Sequence, residues 1–177
     1  GHPDNVAPAL LGGCQLSTLN EISQEWTVCP IQWAPTLVPI VAIPDFELST
    51  QAARDVLPQK CSYADAIFNI AHLGLLIKGL ETGRGDWIQV ALQDRLHQPY
   101  RTGLIRGFEQ VRSTAIQSGA KELVISGAGP TLLALSAPKE AQTVAEQMKA
   151  EWQQVGIMSQ VAILQIDTQG AIISSSF

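Results

Sequence analysis

A short glycine turn between two apolar segments constrains the fold of this chain more than any other feature. Glu122–Ser126 comes before the turn, Gly127-Ala128-Gly129-Pro130 forms it, and Thr131–Ser136 follows. Glycine and proline are the usual turn formers, and short apolar segments on either side are typical of buried strands. Two strands joined by so short a turn pack side by side and run antiparallel. The turn therefore predicts an antiparallel sheet with this hairpin inside it.

The segments around this hairpin extend it to a layered α+β fold. Strands are predicted where Val, Ile, Trp and Thr cluster, and helices where apolar residues recur at helical spacing. From Thr36 onward the predicted order is strand 36–43, helices 49–56, 62–81, 87–96 and 107–118, strands 122–126 and 131–136, helix 139–155 and strand 159–166. This split β-α-β order predicts a ferredoxin-like layer, with an antiparallel sheet on one side and helices on the other.

The long helix at 62–81 carries apolar residues at helical spacing on one face. The residues on this face are Ala66, Ile70, Leu73, Ile77 and Leu80. Upstream of the layer, a short helix 5–11 and strands 14–17 and 26–33 are predicted. The proline-rich stretch 33–39 is the predicted domain seam. Residues 1–35 are therefore predicted to be the remnant of a separate α+β domain, and residues 36–177 to form the ferredoxin-like domain.

Composition narrows the class of protein. The chain has 177 residues, of which 46% are hydrophobic and 15% charged, as in a packed globular protein. Its net charge of -5 argues against a nucleic-acid partner, since a phosphate-backbone binder needs a basic face. Three widely spaced cysteines favour reduced thiols in the cytoplasm. The longest apolar stretch is too short and too polar to span a membrane.

The N-terminal segment reads Gly1-His2-Pro3-Asp4-Asn5-Val6-Ala7-Pro8-Ala9. Asp4 and Asn5 near a helix start can be simple caps, and Pro3 suits the first turn. The functional alternative is that His2 and Asn5 project into a cleft. An Asn amide both donates and accepts hydrogen bonds, which suits a ligand with an ammonium and a carboxylate group.

Two arginines and the glycine turn are further candidates for ligand binding. A planar guanidinium is a natural bidentate partner for a carboxylate, so Arg54 and Arg101 could orient one small acid, although most arginines are solvated surface residues. Arg95 and His97 lie near Arg101 in sequence, but a solvent-facing helix explains them equally well. Gly127 and Gly129 permit backbone conformations that aim N–H groups at an anion, although a plain hairpin turn would have the same composition.

These segments together resemble the GHMP small-molecule kinases, and among them most closely the homoserine kinases. The N-terminal segment, residues 50–58, residues 94–101 and the glycine turn occur in that family's order. The resemblance implies an enzyme that transfers the γ-phosphate of ATP, with Mg²⁺, to the hydroxyl of L-homoserine in threonine biosynthesis. It also implies substrate contacts at Asn5, Arg54 and Arg101, with His2 close by.

The resemblance implies two more roles. The Thr50 hydroxyl would lie near the reacting group, as a catalytic residue. The active-site glycine loop would comprise Ser126, Gly127, Ala128, Gly129, Pro130 and Thr131. The family's Gly/Ser-rich phosphate loop and its acidic Mg²⁺ ligand have no counterpart here. We therefore expect the main ATP and metal contacts to lie outside this chain, which holds no metal ligands of its own and should be inactive alone.

Two alternatives remain open at this point. The first is a GHMP kinase for another substrate, such as a sugar or a mevalonate-type alcohol; an uncharged sugar would give a pair of arginines no carboxylate to bind. A non-catalytic ferredoxin-like module that binds an amino acid or mediates assembly would also lack an ATP loop. The resemblance leaves a homodimer open and gives no reason to expect a nucleic-acid or membrane partner.

Overall fold

The computed structural model describes residues 3–173, an α+β arrangement of two antiparallel sheets and surrounding helices. The elements along the chain are α1 (Pro3–Leu11), β1 (Cys14–Asn20), β2 (Glu25–Ile31), β3 (Val38–Pro44), α2 (Thr50–Asp55), α3 (Tyr63–Thr82), α4 (Gly85–Ala91), α5 (Gln98–Arg101), a 3₁₀ turn (Thr102–Leu104), α6 (Phe108–Gln117), β4 (Ala120–Ile125), β5 (Leu132–Ser136), α7 (Ala141–Gln154) and β6 (Ser159–Ile163).

The larger sheet has four antiparallel strands in the spatial order β4-β5-β3-β6. Counted from β3, this is the order 2-3-1-4, so the predicted ferredoxin-like layer is confirmed. The hairpin that led to the prediction lies inside the sheet, with Val124 opposite Leu133 and Ile125 opposite Leu132. A change of register between Ala120 and Glu122 disrupts the outer strand at its beginning.

Helices α6 and α7 cover one face of this sheet and bury the main core. Side chains that are fully enclosed come from both layers, and the largest are Trp152, Ile40, Leu123, Leu132, Met148, Val111 and Val144. Burying an apolar side chain of this size contributes about 1.5–3 kcal/mol. The indole N–H of Trp152 donates to the carbonyl oxygen of Arg106 at 3.1 Å, so its polar group is satisfied inside the core.

Helix α3 leaves part of its apolar face exposed. It begins where Ser62 Oγ accepts the backbone N–H of Asp65, and it ends at Gly83 in the left-handed conformation. Leu80 is buried in a second cluster with Leu37, Ile88 and Leu135. Further along the same face, Ile70 is 72% exposed and Leu73 is 48% exposed. No described element covers this face.

The predicted helix 87–96 is also wrong in extent. Helix α4 ends at Ala91, and a loop leads to the four-residue helix α5, which the sequence did not predict. The cause is Asp94, whose carboxylate accepts the backbone N–H groups of both His97 and Gln98 at 2.7 Å. A side chain that bonds nearby backbone groups in this way favours a turn and a new helix start over continuation of the first helix.

The N-terminal hairpin is joined closely to the chain after β6. Strand β1 pairs with β2, and α1 packs against β1. Gly12 has a φ of +74°, and a Cβ there would lie 2.7 Å from the backbone of Thr168. The N–H of Gly13 donates to the carbonyl oxygen of Asp167 at 2.6 Å. A side chain at Gly12 would therefore separate these two segments. Over the described residues no helix is both long and apolar enough to cross a membrane.

Candidate active site

Helix α2 presents two of the predicted site residues on the surface. Ser49 caps it, with Oγ accepting the N–H of Ala52 at 3.0 Å. Thr50 lies exposed in its first turn, and Arg54 lies exposed in its last turn. Ala53 is fully buried and fixes the helix to the rest of the molecule. The capping residue and one buried alanine thus hold a six-residue helix so that a hydroxyl and a guanidinium face outward.

Arg101 connects this helix to the glycine turn. Its Nε donates to the carbonyl oxygen of Ala53 at 2.9 Å, and its Nη1 donates to the carbonyl oxygen of Gly127 at 3.3 Å. The Ala53 carbonyl is one of the last in α2 and would otherwise lack a helical partner. Arg54 directly follows Ala53, so the Arg101 guanidinium contacts the backbone of the residue next to Arg54. Nη2 of Arg101 has no hydrogen-bond partner within residues 3–173.

The glycine turn is tied at both ends and open in the middle. The N–H of Ser126 donates to Thr131, and that of Gly129 donates to Ser126, at 2.9 and 3.0 Å between nitrogen and carbonyl oxygen. Gly127 and Gly129 both have positive φ, at 59° and 87°. The N–H groups of Gly127 and Ala128 donate to no acceptor in the described part of the chain. Two free amides can bind an anion, whereas Gly129, also predicted to contribute, is used inside the turn.

Contacts below the site anchor α5, the helix that carries Arg101. Asp94 Oδ1 accepts the amide of Asn69 at 2.5 Å, while Oδ2 accepts two backbone N–H groups at the start of α5. Burial alone would raise the pKa of Asp94, but these donors outweigh it and hold the pKa below its ordinary value. Asp94 is therefore a charged anchor. Its position shortly before Gln98-Pro99 was the available sequence signal, because an Asp near a Pro-containing helix start is a typical cap.

His97 is closer to the site than its interpretation as a surface residue implied. Its Nδ1 lies 3.5 Å from Nη1 of Arg101, and its Nε2 lies 3.9 Å from Oδ1 of Asp94. Burial lowers the pKa of His97; the Asp94 carboxylate opposes this shift and Arg101 reinforces it. The neutral imidazole is thus favoured beside the guanidinium. Arg95, by contrast, lies over the ring of Phe68 at 3.9 Å, away from Arg101's contacts.

Asn5 is not joined to this cluster in the described part of the chain. Asn5 is exposed on α1, and no hydrogen bond within residues 3–173 joins it to Arg54 or Arg101. His2 lies outside the described residues. The structure therefore unites Arg101, the glycine turn and the helix that carries Arg54 and Thr50. The N-terminal segment stays a separate prediction.

An apolar cavity of about 580 Å³ lies beside this cluster. Ile70, Leu73 and Leu76 of α3 form one side of it, and Asn69, Asp94, His97 and Gln98 give it a polar end. A metal-binding site in the described residues has less support than an anion site. Among residues 3–173 no group of three or more His, Cys, Asp or Glu side chains could hold a metal ion. The described residues thus offer cationic and amide donors for anions, and no cage for a cation.

Comparison with known proteins identifies related sequences along nearly the whole chain. The family model described as GHMP kinases C terminal matches residues 76–154. A protein named homoserine kinase from Trichodesmium erythraeum is 56% identical over 174 residues, which cover 98% of this chain and 56% of the relative. A second, from Microchaete diplosiphon, is 57% identical over 171 residues, covering 97% and 55%. The chain spans about half the length of the curated relatives it matches.

Solved structures of related proteins also superpose on this chain. The crystal structure of homoserine kinase from Cytophaga hutchinsonii superposes with a TM-score of 0.87 at 30% identity, covering 96% of this chain and 53% of that one. Mevalonate kinase from L. major, in complex with R-mevalonate, superposes with a TM-score of 0.64 at 17% identity, covering 98% and 55%. The second likeness shows a shared fold alone.

Proposed function

We propose that this chain is the part of a homoserine kinase that binds the amino-acid substrate, because residues 76–154 match the family model described as GHMP kinases C terminal and almost the whole chain is similar to homoserine kinases. The reaction is the ATP-dependent phosphorylation of the L-homoserine hydroxyl. The observation that carries the proposal is the Arg101 guanidinium, which is bonded to Ala53 beside Arg54 and to Gly127 in the glycine turn.

The substrate carboxylate binds to the two arginines. Arg54 is exposed, and no hydrogen bond or ion pair within the described chain occupies its guanidinium. Arg101 keeps Nη2 for a ligand while Nε and Nη1 fix its place. Two guanidinium groups at neighbouring positions can orient one carboxylate through charge-assisted hydrogen bonds. Asn5, with His2 close by, completes the site by binding the ammonium group.

The reacting end of the substrate lies toward Thr50 and the glycine turn. Phosphoryl transfer forms a bond between the homoserine oxygen and the γ-phosphorus and breaks the bond from that phosphorus to ADP, while the hydroxyl loses its proton. The protein contributes mainly positioning and stabilisation of negative charge. The free amides of Gly127 and Ala128 suit such charge, and the Thr50 hydroxyl suits a contact with the reacting oxygen.

ATP and Mg²⁺ find their main contacts outside this chain. The described residues fit an anion through two amides and the guanidinium groups. They offer no acidic cluster for Mg²⁺. The metal would neutralise phosphate charge in the complete kinase, and the residues of this chain would hold and orient homoserine. We therefore expect residues 1–177 alone to release no measurable ADP in response to homoserine.

Residues 1–35 and 36–177 divide this role between two domains. The first contains α1 and the β1–β2 hairpin and belongs to the domain that holds the nucleotide. The second is the ferredoxin-like domain. The exposed Val6, Leu10 and Leu11 of α1 are the positions at which the rest of that first domain would pack. A homodimer of the complete kinase is compatible with this arrangement, and no contact described here requires one.

A chimeric protein provides the direct test. The portion of the Trichodesmium relative that this chain does not cover would be joined to residues 1–177, and ADP release measured with homoserine, mevalonate and galactose. The proposal expects activity with homoserine alone. Activity with an uncharged sugar would point to another GHMP kinase. A folded chimera that binds homoserine and transfers no phosphate to any of these acceptors would favour the non-catalytic module.

A further inference from the structure

We propose that Gln98 and Asp94 are positioning residues, which set the place of Arg101 and of the glycine turn through the short helix α5. The effect on catalysis rests on the proposed function. The effect on the geometry of the turn does not, because it follows from contacts within this chain. Neither residue needs to touch the substrate.

Helix α5 cannot hold its own position. It has four residues, Gln98–Arg101, and continues into a three-residue 3₁₀ turn. A helix this short provides too few internal hydrogen bonds to offset the ordering of its backbone. It buries none of its residues. Its place must therefore come from side-chain contacts, and three of the residues that supply them are Asp94, Gln98 and Arg101 itself.

Asp94 fixes the beginning of α5 to helix α3. The two oxygens of its nearly buried carboxylate bind in different directions, one to the Asn69 amide of α3 and the other to the N–H groups of His97 and Gln98. The carbonyl oxygen of the same Asn69 amide accepts the N–H of Arg95 at 3.0 Å. Asn69 and Asp94 thus hold the entry of α5 against a 20-residue helix.

Gln98 fixes α5 to the strand that leads into the glycine turn. Its Oε1 accepts the N–H of Ile125 at 3.0 Å, and its Nε2 donates to the carbonyl oxygen of Leu92 at 3.3 Å. Ile125 is the last residue of β4, which pairs with β5 and lies at the edge of the sheet among the strands of residues 3–173. An outward N–H on an edge strand has no strand partner, so Gln98 provides one.

Gln98 and Arg101 therefore contact two neighbouring points of the same segment. They are three residues apart and lie on one side of a single helical turn. Gln98 binds Ile125, and Arg101 binds Gly127 two residues later. Any displacement of α5 changes both contacts together. Loss of Gln98 should consequently alter the turn and the orientation of the Arg101 guanidinium, even though Arg101 itself is unchanged.

The first arm of the test uses the 177-residue chain and amide hydrogen exchange by NMR. In Gln98→Ala, exchange of the Ile125 amide should accelerate at least about tenfold, as expected from losing one hydrogen bond. The Gly127 and Gly129 resonances should also shift. Gln98→Glu keeps an oxygen acceptor and should preserve Ile125 protection. Gln110→Ala, at an exposed position of α6, is the matched control and should change neither signal.

The second arm uses the chimera and separates KM from kcat. Gln98→Ala and Asp94→Asn should each raise the KM for homoserine about tenfold and leave the KM for ATP within twofold. The factor by which kcat falls should be smaller than the factor by which the homoserine KM rises. Gln98→Glu should recover most of the homoserine KM. A role in folding alone would lower the melting temperature and leave the homoserine KM unchanged, which would overturn the catalytic half of the proposal.

Negative results in the two experiments contradict different claims. If the unmodified chimera phosphorylates no homoserine, the proposed function is wrong and the exchange experiment still decides whether α5 positions the turn. If Gln98→Ala leaves Ile125 exchange and both glycine resonances as they are in Gln110→Ala, the positioning role is wrong whatever the kinetics show.

Discussion

Helices α7 and α3 each carry an apolar face, and the two differ in how much of that face the described chain covers. On α7, Val144, Met148 and Trp152 are fully enclosed against the sheet. On α3, Ile70 is 72% exposed and Leu73 is 48% exposed, and both line the apolar cavity. Sequence periodicity treats these helices alike. The comparison shows that the described chain encloses the apolar side of α7 and leaves part of the apolar side of α3 exposed.

The candidate active site lies beside the uncovered region. Its fixed parts, Arg101 and Gly127, are held by hydrogen bonds rather than by apolar packing. Stability and function should therefore respond to different substitutions: the covered side determines whether the chain folds, and the open side determines what it binds.

The largest effect should come from Trp152→Ala on the covered side. The substitution leaves a cavity in the main core and removes the partner of the Arg106 carbonyl, so we expect a loss of about 3–5 kcal/mol in the free energy of unfolding. Urea denaturation of the chain measures it. A loss below about 1 kcal/mol would contradict the view that this side is tightly packed.

A smaller loss is expected from the ion pair between Arg112 and Glu122 on the covered side. Arg112 donates to both carboxylate oxygens of Glu122 at 2.8 and 2.9 Å, and the side chain of Glu122 is 5% exposed whereas that of Arg112 is 38% exposed. Glu122→Gln removes the charge from one partner, and because Arg112 reaches solvent we expect a cost of about 1–3 kcal/mol. The control is Glu109→Gln, an exposed position of α6. Equal melting temperatures for the two variants would refute the prediction.

The two glycines of the turn lie in different surroundings, Gly129 against the covered side and Gly127 on the open side. A Cβ at Gly129 would lie 3.1 Å from Ile105 and 3.3 Å from Ile125, whereas a Cβ at Gly127 would meet nothing within 4 Å. Both positions have positive φ, which costs an alanine about 1–2 kcal/mol. Gly129→Ala should therefore lower the melting temperature more than Gly127→Ala. A lower melting temperature for Gly127→Ala than for Gly129→Ala would contradict this packing of the turn.

Acidification should weaken the open side first. The folded chain lowers the pKa of His97, so an unfolded chain binds the extra proton more readily, and stability falls as pH drops below about 6.5. Asp94, whose pKa is also lowered, adds a second loss as pH falls below about 4. His97→Gln should flatten the change in melting temperature between pH 7.5 and 5.5. An unchanged slope would show that His97 titrates alike in both states.

The smallest effect is expected on the open face of α3. Ile70→Ala should change the free energy of unfolding of this chain by no more than about 0.5 kcal/mol, because most of the side chain is already in contact with water. In the chimera, where further polypeptide is present, the same substitution should cost more. An equal effect in both proteins would mean that this face stays uncovered.

Much of the fold could be predicted from the sequence because its signals are local. The glycine turn, the strand composition and the helical spacing of apolar residues predicted the sheet and its main helices. The end of α4 and the start of α5 depend on the Asp94 carboxylate and on Asn69, a contact 25 residues away, so periodicity could not reveal them. The same is true of burial on α3, since a helical face is apolar whether its partner belongs to the chain or not.

The site was predictable in composition and not in arrangement. Arg101 and the glycine turn could be chosen by their chemistry, but the bonds from Arg101 to Ala53 and Gly127 join segments 48 and 26 residues apart. His97 was set aside because its sequence neighbours suggest a surface helix. Only the folded chain places it beside Arg101. The position of Asn5 relative to the arginines stays a prediction.

The central claim is that Arg54 binds the carboxylate of an amino-acid substrate, and one comparison of substrates in the chimera tests it. Kinase activity would be measured with homoserine and with 3-aminopropan-1-ol, which lacks the carboxylate. The variants are Arg54→Ala and, as the control, Arg84→Ala. Arg84 is an exposed arginine at the N-terminus of α4 and pairs with Asp86. The account predicts that Arg54→Ala lowers kcat/KM for homoserine by about 100-fold, leaves the amino alcohol within about threefold, and that Arg84→Ala changes neither. Equal losses for both substrates in Arg54→Ala would contradict it.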